Sequence, residues 1–261
     1  MSLAEKKPVR SIDAISWVDE QAGDLPILLS APHGGNLDLP GILARSGLGL
    51  ETGATGFLSG RDNGTEELTR AVSDSIEQRF GKRPYFVISR VHRRFLDPNR
   101  PAEIAYDDPS VQPIYDCYHH ALRTFVQQMA ERFRAGIIID IHGQGTQRDT
   151  VFRGTKDGLS VSRLRQIFGE AAHHGPTSLF GLFHARGWKV HPSLPDTKEQ
   201  LGFTGGYITQ TYGSHKSQPI DAVQLEFGAE FRVPSRRAQT AEVLTDALAE
   251  YCNTYLKMKV A

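Results

Sequence analysis

The chain has 261 residues, with 30 Lys plus Arg balanced by 30 Asp plus Glu, and 39% of its residues are apolar. This composition supports a sizeable core and argues against extensive disorder, and the zero formal charge gives no reason to expect binding to nucleic acid or to an acidic membrane. No stretch approaches the roughly 18 apolar residues that cross a bilayer, and residues 1–10 lack a signal-peptide pattern. We therefore expect a soluble, cytoplasmic protein in which residues 1–261 form a single domain.

Strand-like and helix-like segments alternate along the chain. Short apolar runs bounded by turn residues predict buried strands at 26–31, 85–89, 136–141 and 222–227. Apolar residues spaced three or four apart predict helices at 64–80, from Pro113 onward and at about 235–256, the last with Ser235 as its N-cap. Continuous apolar strands separated by helices favour an α/β fold, with a mainly parallel sheet covered on both faces.

Chemically useful side chains lie at the ends of three predicted strands. His33 follows the first strand, His142 ends the third, and Glu226 lies near the end of the last. Ligands of open α/β sheets bind at the carboxyl ends of the strands. Two imidazoles and a carboxylate form a ligand set that zinc accepts in catalytic sites. We therefore expect a metal centre at this edge of the sheet, with Asp62 or Glu66 as its acidic ligand.

The same residues also have structural interpretations. Asp62 and Glu66 precede or begin a predicted helix, where acids cap the helix and complement its dipole. Glu226 could be a buried acid paired with an arginine, since an unpaired buried carboxylate is costly. Asp140 shares a strand face with His142 and could orient that imidazole through an outer hydrogen bond.

The remaining histidines, arginines and cysteines are interpreted as structural or surface residues. The pairs His119–His120 and His173–His174 lie in helical segments, where neighbouring side chains point about 100° apart and chelate poorly. Arg93 and Arg94 are interpreted as solvated charges. The cysteines have no CxxC partner, so we expect free buried thiols at Cys117 and Cys252.

Taken together, these motifs resemble the N-formylglutamate amidohydrolase family, a relative of the zinc carboxypeptidases. The blocks that carry the resemblance are SAPHGG (30–35), RDNGTEEL (61–68), ISRVHRRFLDPNRP (88–101), DIHGQG (140–145) and GGYITQTYG with AVQLEF (205–227). The resemblance implies a carboxypeptidase-like α/β fold with a mixed, twisted sheet, and a zinc site formed by His33, Asp62 and His142. The His-x-x-Glu spacing of the carboxypeptidases is absent because Asn36 occupies the fourth position, and Glu66 remains a rival acidic ligand.

The resemblance also implies roles for four further residues. Asn99 and Arg100 resemble the Asn-Arg pair that binds the substrate carboxylate in the carboxypeptidase relatives. Arg90 resembles the arginine that polarises the scissile carbonyl, and Glu226 resembles the glutamate that acts as general base. In such a mechanism, the base accepts a proton from water and delivers it to the leaving nitrogen.

The implied reaction is zinc-dependent hydrolysis of the amide bond of an N-acyl amino acid, with N-formyl-L-glutamate as the leading substrate. Other N-acyl amino acids, a small peptide or a γ-glutamyl amide suit the same residues, and manganese, iron or cobalt suits the same ligands. A non-catalytic ligand-binding relative is the alternative from another class, and Glu226 beside a full ligand set argues against it. A nucleotide-binding protein is unsupported, because no Gly-x-Gly-x-x-Gly or Walker-type loop follows a predicted strand.

Overall fold

A computed structural model of the chain describes residues 14–53 and 56–258. The strands of this part of the chain are β1 (Val18–Gln21), β2 (Ile27–Ala31), β3 (Tyr85–Ser89), β4 (Gly136–Gly143), β5 (Thr150–Gly154), β6 (Lys189–His191) and β7 (Ile220–Phe227). They form one sheet in the order β1-β3-β2-β4-β7-β5-β6. The four central strands are mutually parallel, whereas β1 and β5 run antiparallel to their inner neighbours. The predicted mixed, mainly parallel sheet is thus confirmed.

Helices connect the strands and cover both faces of the sheet. The α-helices are α1 (Thr65–Phe80), α2 (Ala102–Ala105), α3 (Gln112–Phe133), α4 (Ser162–Phe168), α5 (Ala171–His174), α6 (Leu179–Ala185), α7 (Tyr207–Tyr212), α8 (Ala229–Arg232) and α9 (Pro234–Tyr255). Short 3-10 helices lie at Ala14–Trp17, Pro109–Val111, Leu159–Val161 and Ser214–Lys216. No helix among the described residues has the length and apolar character to span a membrane.

The sheet divides the core into two apolar layers because successive strand residues point to opposite faces. One layer joins the sheet to α1, α6 and α9, and includes Leu29, Ile139, Leu225, Leu68 and Leu244. The other joins it mainly to α3, and includes Leu28, Ile138, Ala222, Tyr118 and Leu122. Both faces of the central strands are therefore buried, which explains the apolar runs in their sequences.

Two local predictions need correction. Ser235 is not the N-cap of α9, because the helix begins one residue earlier with Pro234, and Val233 occupies the cap position. Proline suits the first helical position, since its missing N–H has no partner there in any case. Neither Cys117 nor Cys252 forms a disulfide, as predicted, but only Cys252 is fully buried, and Cys117 is half-buried.

Candidate metal centre

Three side chains converge beyond the carboxyl ends of β2 and β4. His33 Nδ1 lies 3.1 Å from His142 Nδ1. Asp62 Oδ2 lies 3.5 Å from the His33 nitrogen and 3.3 Å from the His142 nitrogen. All three side chains are largely buried. One ion could therefore contact all three atoms at once.

The backbone around these residues holds them together. The amide of Asp62 donates to the carbonyl of His33 at 2.9 Å, and the amide of Gly143 donates to Asp62 Oδ2 at 3.0 Å. Gly34 is required next to His33, because a Cβ at this position would lie 2.3 Å from the amide nitrogen of Glu66. The Pro-His-Gly-Gly loop can therefore pass close to the start of α1 and place the His33 imidazole beside Asp62.

Each imidazole is held from its outer side by a second carboxylate. Asp97 Oδ1 lies 2.6 Å from His33 Nε2, and Asp140 Oδ2 lies 3.0 Å from His142 Nε2. Both carboxylates are fully buried. Metal-bound histidines usually donate their outer N–H to such a partner, which fixes the tautomer and the ring orientation. The outer carboxylates therefore leave both Nδ1 atoms as inward-facing lone pairs.

These inward-facing groups need a positive charge between them. Burial opposes ionisation of Asp62, but its hydrogen bonds with His142 and His33 dominate and hold the carboxyl pKa below its usual range. Burial also disfavours the charged form of His142, but Asp140 and Asp62 outweigh it and hold the imidazole pKa well above its usual value. Two nitrogen lone pairs and a carboxylate in van der Waals contact repel one another unless a proton or a metal ion lies among them.

The separations fit a divalent metal ion. Ligand atoms about 2.0–2.1 Å from a tetrahedral zinc ion lie about 3.3 Å apart. The three observed separations lie between 3.1 and 3.5 Å. Two imidazole nitrogens and one carboxylate oxygen also form a donor set typical of catalytic zinc sites, which keep a further position for water. The residues present therefore fit zinc in both spacing and chemistry.

Glu226 lies beside the cluster on the neighbouring strand. It is directly opposite His142 in the parallel pairing of β4 with β7, so both side chains point to the same face of the sheet. Gln224 Nε2 donates to Glu226 Oε1 at 2.8 Å. Burial raises the pKa of the Glu226 carboxyl to about 7, with His142 opposing the rise and Asp62 adding to it. A carboxylate that titrates near neutrality suits proton transfer.

Solved structures match the fold over nearly the whole chain. N-formylglutamate amidohydrolase from Ralstonia eutropha JMP134 matches with a TM-score of 0.61 and 14% identity, over 93% of this chain and 99% of that chain. The chain shares its fold with N-formylglutamate amidohydrolase. A gene product from Agrobacterium tumefaciens matches with a TM-score of 0.59 and 14% identity, over 91% of this chain and 95% of that chain. No protein-family model matches the sequence, and the search of curated proteins finds no match.

The structure brings together most of the residues that the resemblance to N-formylglutamate amidohydrolase singled out. Asn99 is buried, and its Nδ2 lies 3.2 Å from His142 Nε2, while its Oδ1 accepts from the amide of Ile208 at 2.8 Å. Asn99 thus contacts the back of an imidazole. Glu66, the rival acid, is instead paired with Arg70 at 2.9 Å, so the carboxylate at the histidines is that of Asp62.

Two predicted arginine roles do not match the observed contacts. The Arg90 guanidinium donates to the carbonyl of Ser16 at 3.3 Å, on the side of the sheet edge where β1 lies. Arg100 is buried, but it donates to the carbonyls of Gly56 at 2.8 Å and Asn99 at 2.9 Å. The main donors of Arg100 are therefore already bonded to backbone carbonyls. Arg90 faces away from the cluster.

The arginines nearest the cluster are ones that sequence reasoning set aside or missed. Arg93, interpreted as a surface charge, is buried and pairs with Asp97 at 2.9 Å, and its Nη1 lies 3.8 Å from Asp62 Oδ1. Burial opposes ionisation of Asp97, but the charges of Arg93 and His33 hold its pKa well below its usual range. Arg232 was missed altogether. It is buried beside Asp62 and donates to the Phe227 carbonyl at 3.0 Å.

Asp140→Asn is expected to weaken metal binding by about 10–100-fold, because it removes the outer charge that makes the His142 imidazole a better donor. Asp140 is a cleaner test than Asp97, which also neutralises Arg93. Competition with a chromogenic chelator measures the affinity, and the exposed Asp38, which pairs with Arg94, gives the control Asp38→Asn. Equal affinity in Asp140→Asn and the unmodified protein would show that the outer carboxylate does not act on the metal.

Proposed function

We propose that this protein is a metal-dependent amidohydrolase that cleaves the amide bond of an N-acyl amino acid, with N-formyl-L-glutamate as the leading substrate. The observation that carries the proposal is the convergence of His33 Nδ1, Asp62 Oδ2 and His142 Nδ1 within 3.5 Å of one another, with Glu226 on the adjacent strand. The fold that the chain shares with N-formylglutamate amidohydrolase is consistent with this chemistry.

The metal would be held by His33, Asp62 and His142, with zinc as the first choice. When bound, zinc acts as a Lewis acid that lowers the pKa of water to about 7 and stabilises negative charge on the carbonyl oxygen. The two imidazoles are positioned for this by Asp97 and Asp140, which fix the Nε2 tautomer. Two buried carboxylates therefore orient the two histidine ligands.

Glu226 is positioned to move the proton. Its carboxylate would accept a proton from the attacking water and deliver it to the nitrogen of the leaving amine. Gln224 fixes one oxygen of the carboxylate and leaves the other free to accept. The guanidinium of Arg93 lies near the carboxylates of Asp97 and Asp62. Its positive charge opposes the rise in the pKa of Glu226. This arrangement keeps a buried base available near neutral pH.

Metal content and substrate selectivity together test this proposal. Protein purified without chelators and reloaded with zinc is expected to hold about one equivalent, measured by elemental analysis. It should hydrolyse members of a panel of N-formyl, N-acetyl and N-succinyl amino acids, with N-formyl-L-glutamate fastest, and the chelated protein serves as control. Less than about a tenth of an equivalent after reloading, or metal without hydrolysis of any panel member, would contradict the proposal.

A further inference from the structure

Arg232, the last residue of α8, donates hydrogen bonds to three backbone carbonyls. Its Nε donates to the carbonyl of Phe227 at 3.0 Å, its Nη2 donates to that of Gln144 at 3.1 Å, and its Nη1 donates to that of Asn63. These acceptors lie on three separate segments of the chain. The guanidinium therefore joins the loop before α1, the loop after β4 and the end of β7.

Each acceptor of Arg232 closely follows a residue of the proposed reaction site. The pairs are Asn63 after Asp62, Gln144 after His142, and Phe227 after Glu226. A carbonyl that is held in place also restrains the residues beside it, because the peptide group is planar and leaves only two soft dihedrals per residue. The contacts of one side chain therefore restrain the acidic metal ligand, the second histidine and the base relative to one another.

The β-sheet does not hold all three segments by itself. The pairing of β4 with β7 ends at Gly143 and Phe227, and the amide of Gln144 donates to the carbonyl of Phe227 at 3.0 Å just beyond it. The segment that contains Asn63 is not a strand of the sheet, so its position depends on contacts from loops. Arg232 supplies one of these contacts and links that segment to the ends of both strands.

The surroundings of Arg232 leave room for its side chain and for little else. A Cβ at Gly143 would lie 2.5 Å from Arg232 Cζ, so only glycine lets the guanidinium pass this close to the backbone. Arg232 is buried, and burial lowers its pKa while the charges of Asp62 and Glu226 oppose this. A buried guanidinium is costly unless its donors are bonded. The three carbonyls offset this cost and give the group a fixed position.

We propose that Arg232 is a positioning residue, which holds Asp62, His142 and Glu226 at the separations that metal binding and proton transfer require. The catalytic part of this inference rests on the proposed function, whereas its effect on the metal ligands does not depend on turnover. Arg232 also lines a cavity of about 520 Å³ beside Asp62 and Gly143, so a shorter side chain would leave space into which the Asp62 segment can move. A displacement of about 1 Å at a reaction site can lower the rate about 100-fold.

The absorption spectrum of the cobalt-loaded protein tests the inference without turnover. Cobalt(II) suits the same nitrogen and oxygen ligands as zinc, and its visible d–d bands change when the arrangement of the ligands changes. Arg232→Met, which removes all three hydrogen bonds, should shift or weaken these bands and lower the affinity for cobalt about 10–100-fold. With zinc, it should lower kcat for the best N-acyl amino acid about 10–100-fold and leave KM nearly unchanged, because Arg232 acts on the positions of the reacting groups.

Two further variants separate positioning from charge and from general stability. Arg232→Lys keeps the positive charge but not the planar fork of donors, so its bands and kcat should change in the same direction as those of Arg232→Met. Arg132→Met is the control, because Arg132 donates to the carbonyl of Gly23 and the hydroxyl of Tyr85, near the amino ends of β2 and β3 and opposite the metal ligands. It should keep both the bands and kcat.

Several outcomes would overturn the inference. Unchanged cobalt bands in Arg232→Met, or equal changes in Arg132→Met, would show that Arg232 does not position the ligands. Unmodified bands and full kcat in Arg232→Lys would assign the effect to charge and not to the three hydrogen bonds. Thermal melts of the metal-free proteins check that each variant folds, and the milder Arg232→Lys decides the question if Arg232→Met does not fold.

The cobalt spectrum separates this inference from the proposed function. If the bands depend on Arg232 but no N-acyl amino acid is hydrolysed, Arg232 positions the metal ligands and the proposed reaction is wrong. If N-acyl amino acids are hydrolysed but neither the bands nor kcat respond to Arg232→Met, only the role of Arg232 is wrong.

Discussion

Glu226→Gln is expected to lower turnover of the best N-acyl amino acid by about two to four orders of magnitude, with metal content unchanged. The amide has nearly the same shape as the carboxylate and can still contact Gln224, but it cannot accept the proton of the attacking water. Glu226 is not one of the three metal ligands, so the cluster of His33, Asp62 and His142 should keep its ion. Steady-state kinetics and elemental analysis of the same samples measure the two quantities.

The pH profile provides a further check on Glu226. A base must be ionised to act, so kcat/KM should fall as the pH drops through the pKa of Glu226. Burial raises that pKa to about 7, and a bound cation lowers it, so the fall in kcat/KM should occur below pH 7. The residual rate of Glu226→Gln should not show this fall. Glu230→Gln, just beyond β7, is the matched control and should keep both rate and profile. A full rate in Glu226→Gln would exclude the glutamate as base.

Asp62→Asn is expected to abolish stable metal binding and, with it, catalysis. The substitution preserves the size of the side chain but removes the anionic oxygen that lies within 3.5 Å of both imidazole nitrogens. A metal at a thousand times its dissociation constant stabilises a folded protein by about 4 kcal/mol. For a chain of this length, that corresponds to a rise in Tm of about 10 °C. Thermal melts with and without zinc should show this rise in the unmodified protein and little of it in Asp62→Asn.

Glu66→Gln is the control for Asp62→Asn, because Glu66 was the rival acidic ligand in the sequence. It lies in the first turn of α1 and pairs with Arg70, so its loss should leave the metal-dependent rise in Tm in place. The opposite pattern, in which Glu66→Gln loses the metal and Asp62→Asn keeps it, would require the start of α1 to rotate and would overturn the ligand assignment.

The central sheet could be predicted because its strands are buried on both faces. β2, β3, β4 and β7 each contain a run rich in apolar residues, and the predicted strand bounds agree with the observed ones to within a few residues. The remaining strands could not be recognised in the same way. β1 has the sequence VDEQ, with little apolar pattern, and β5 carries Arg153, whose burial depends on an ion pair with Glu199 from a distant loop. Such partners are set by tertiary structure, which local sequence does not reveal.

The candidate site was predictable where its residues follow strands, and less so where they depend on a loop. His33 and His142 follow directly from the rule that ligands bind at the carboxyl ends of strands. Residues 90–101 behave differently, because this segment folds back beneath the cluster. Arg93 and Asp97, four residues apart, turn inward to pair with each other, while Arg90 turns outward to Ser16. Their directions depend on turns in the segment, and sequence spacing alone does not determine them.

The pairing of β4 with β7 has a consequence for how this site can change. A proposed ligand and the proposed base occupy the same rung of two adjoining strands, so a shift of either strand by one residue would turn one of them to the opposite face. The distance between them is thus set by main-chain hydrogen bonds in the middle of the molecule. The cavity beside Asp62, by contrast, is lined by loops and helix ends. The sequence of those loops and helix ends can therefore change while the reactive pair stays in register.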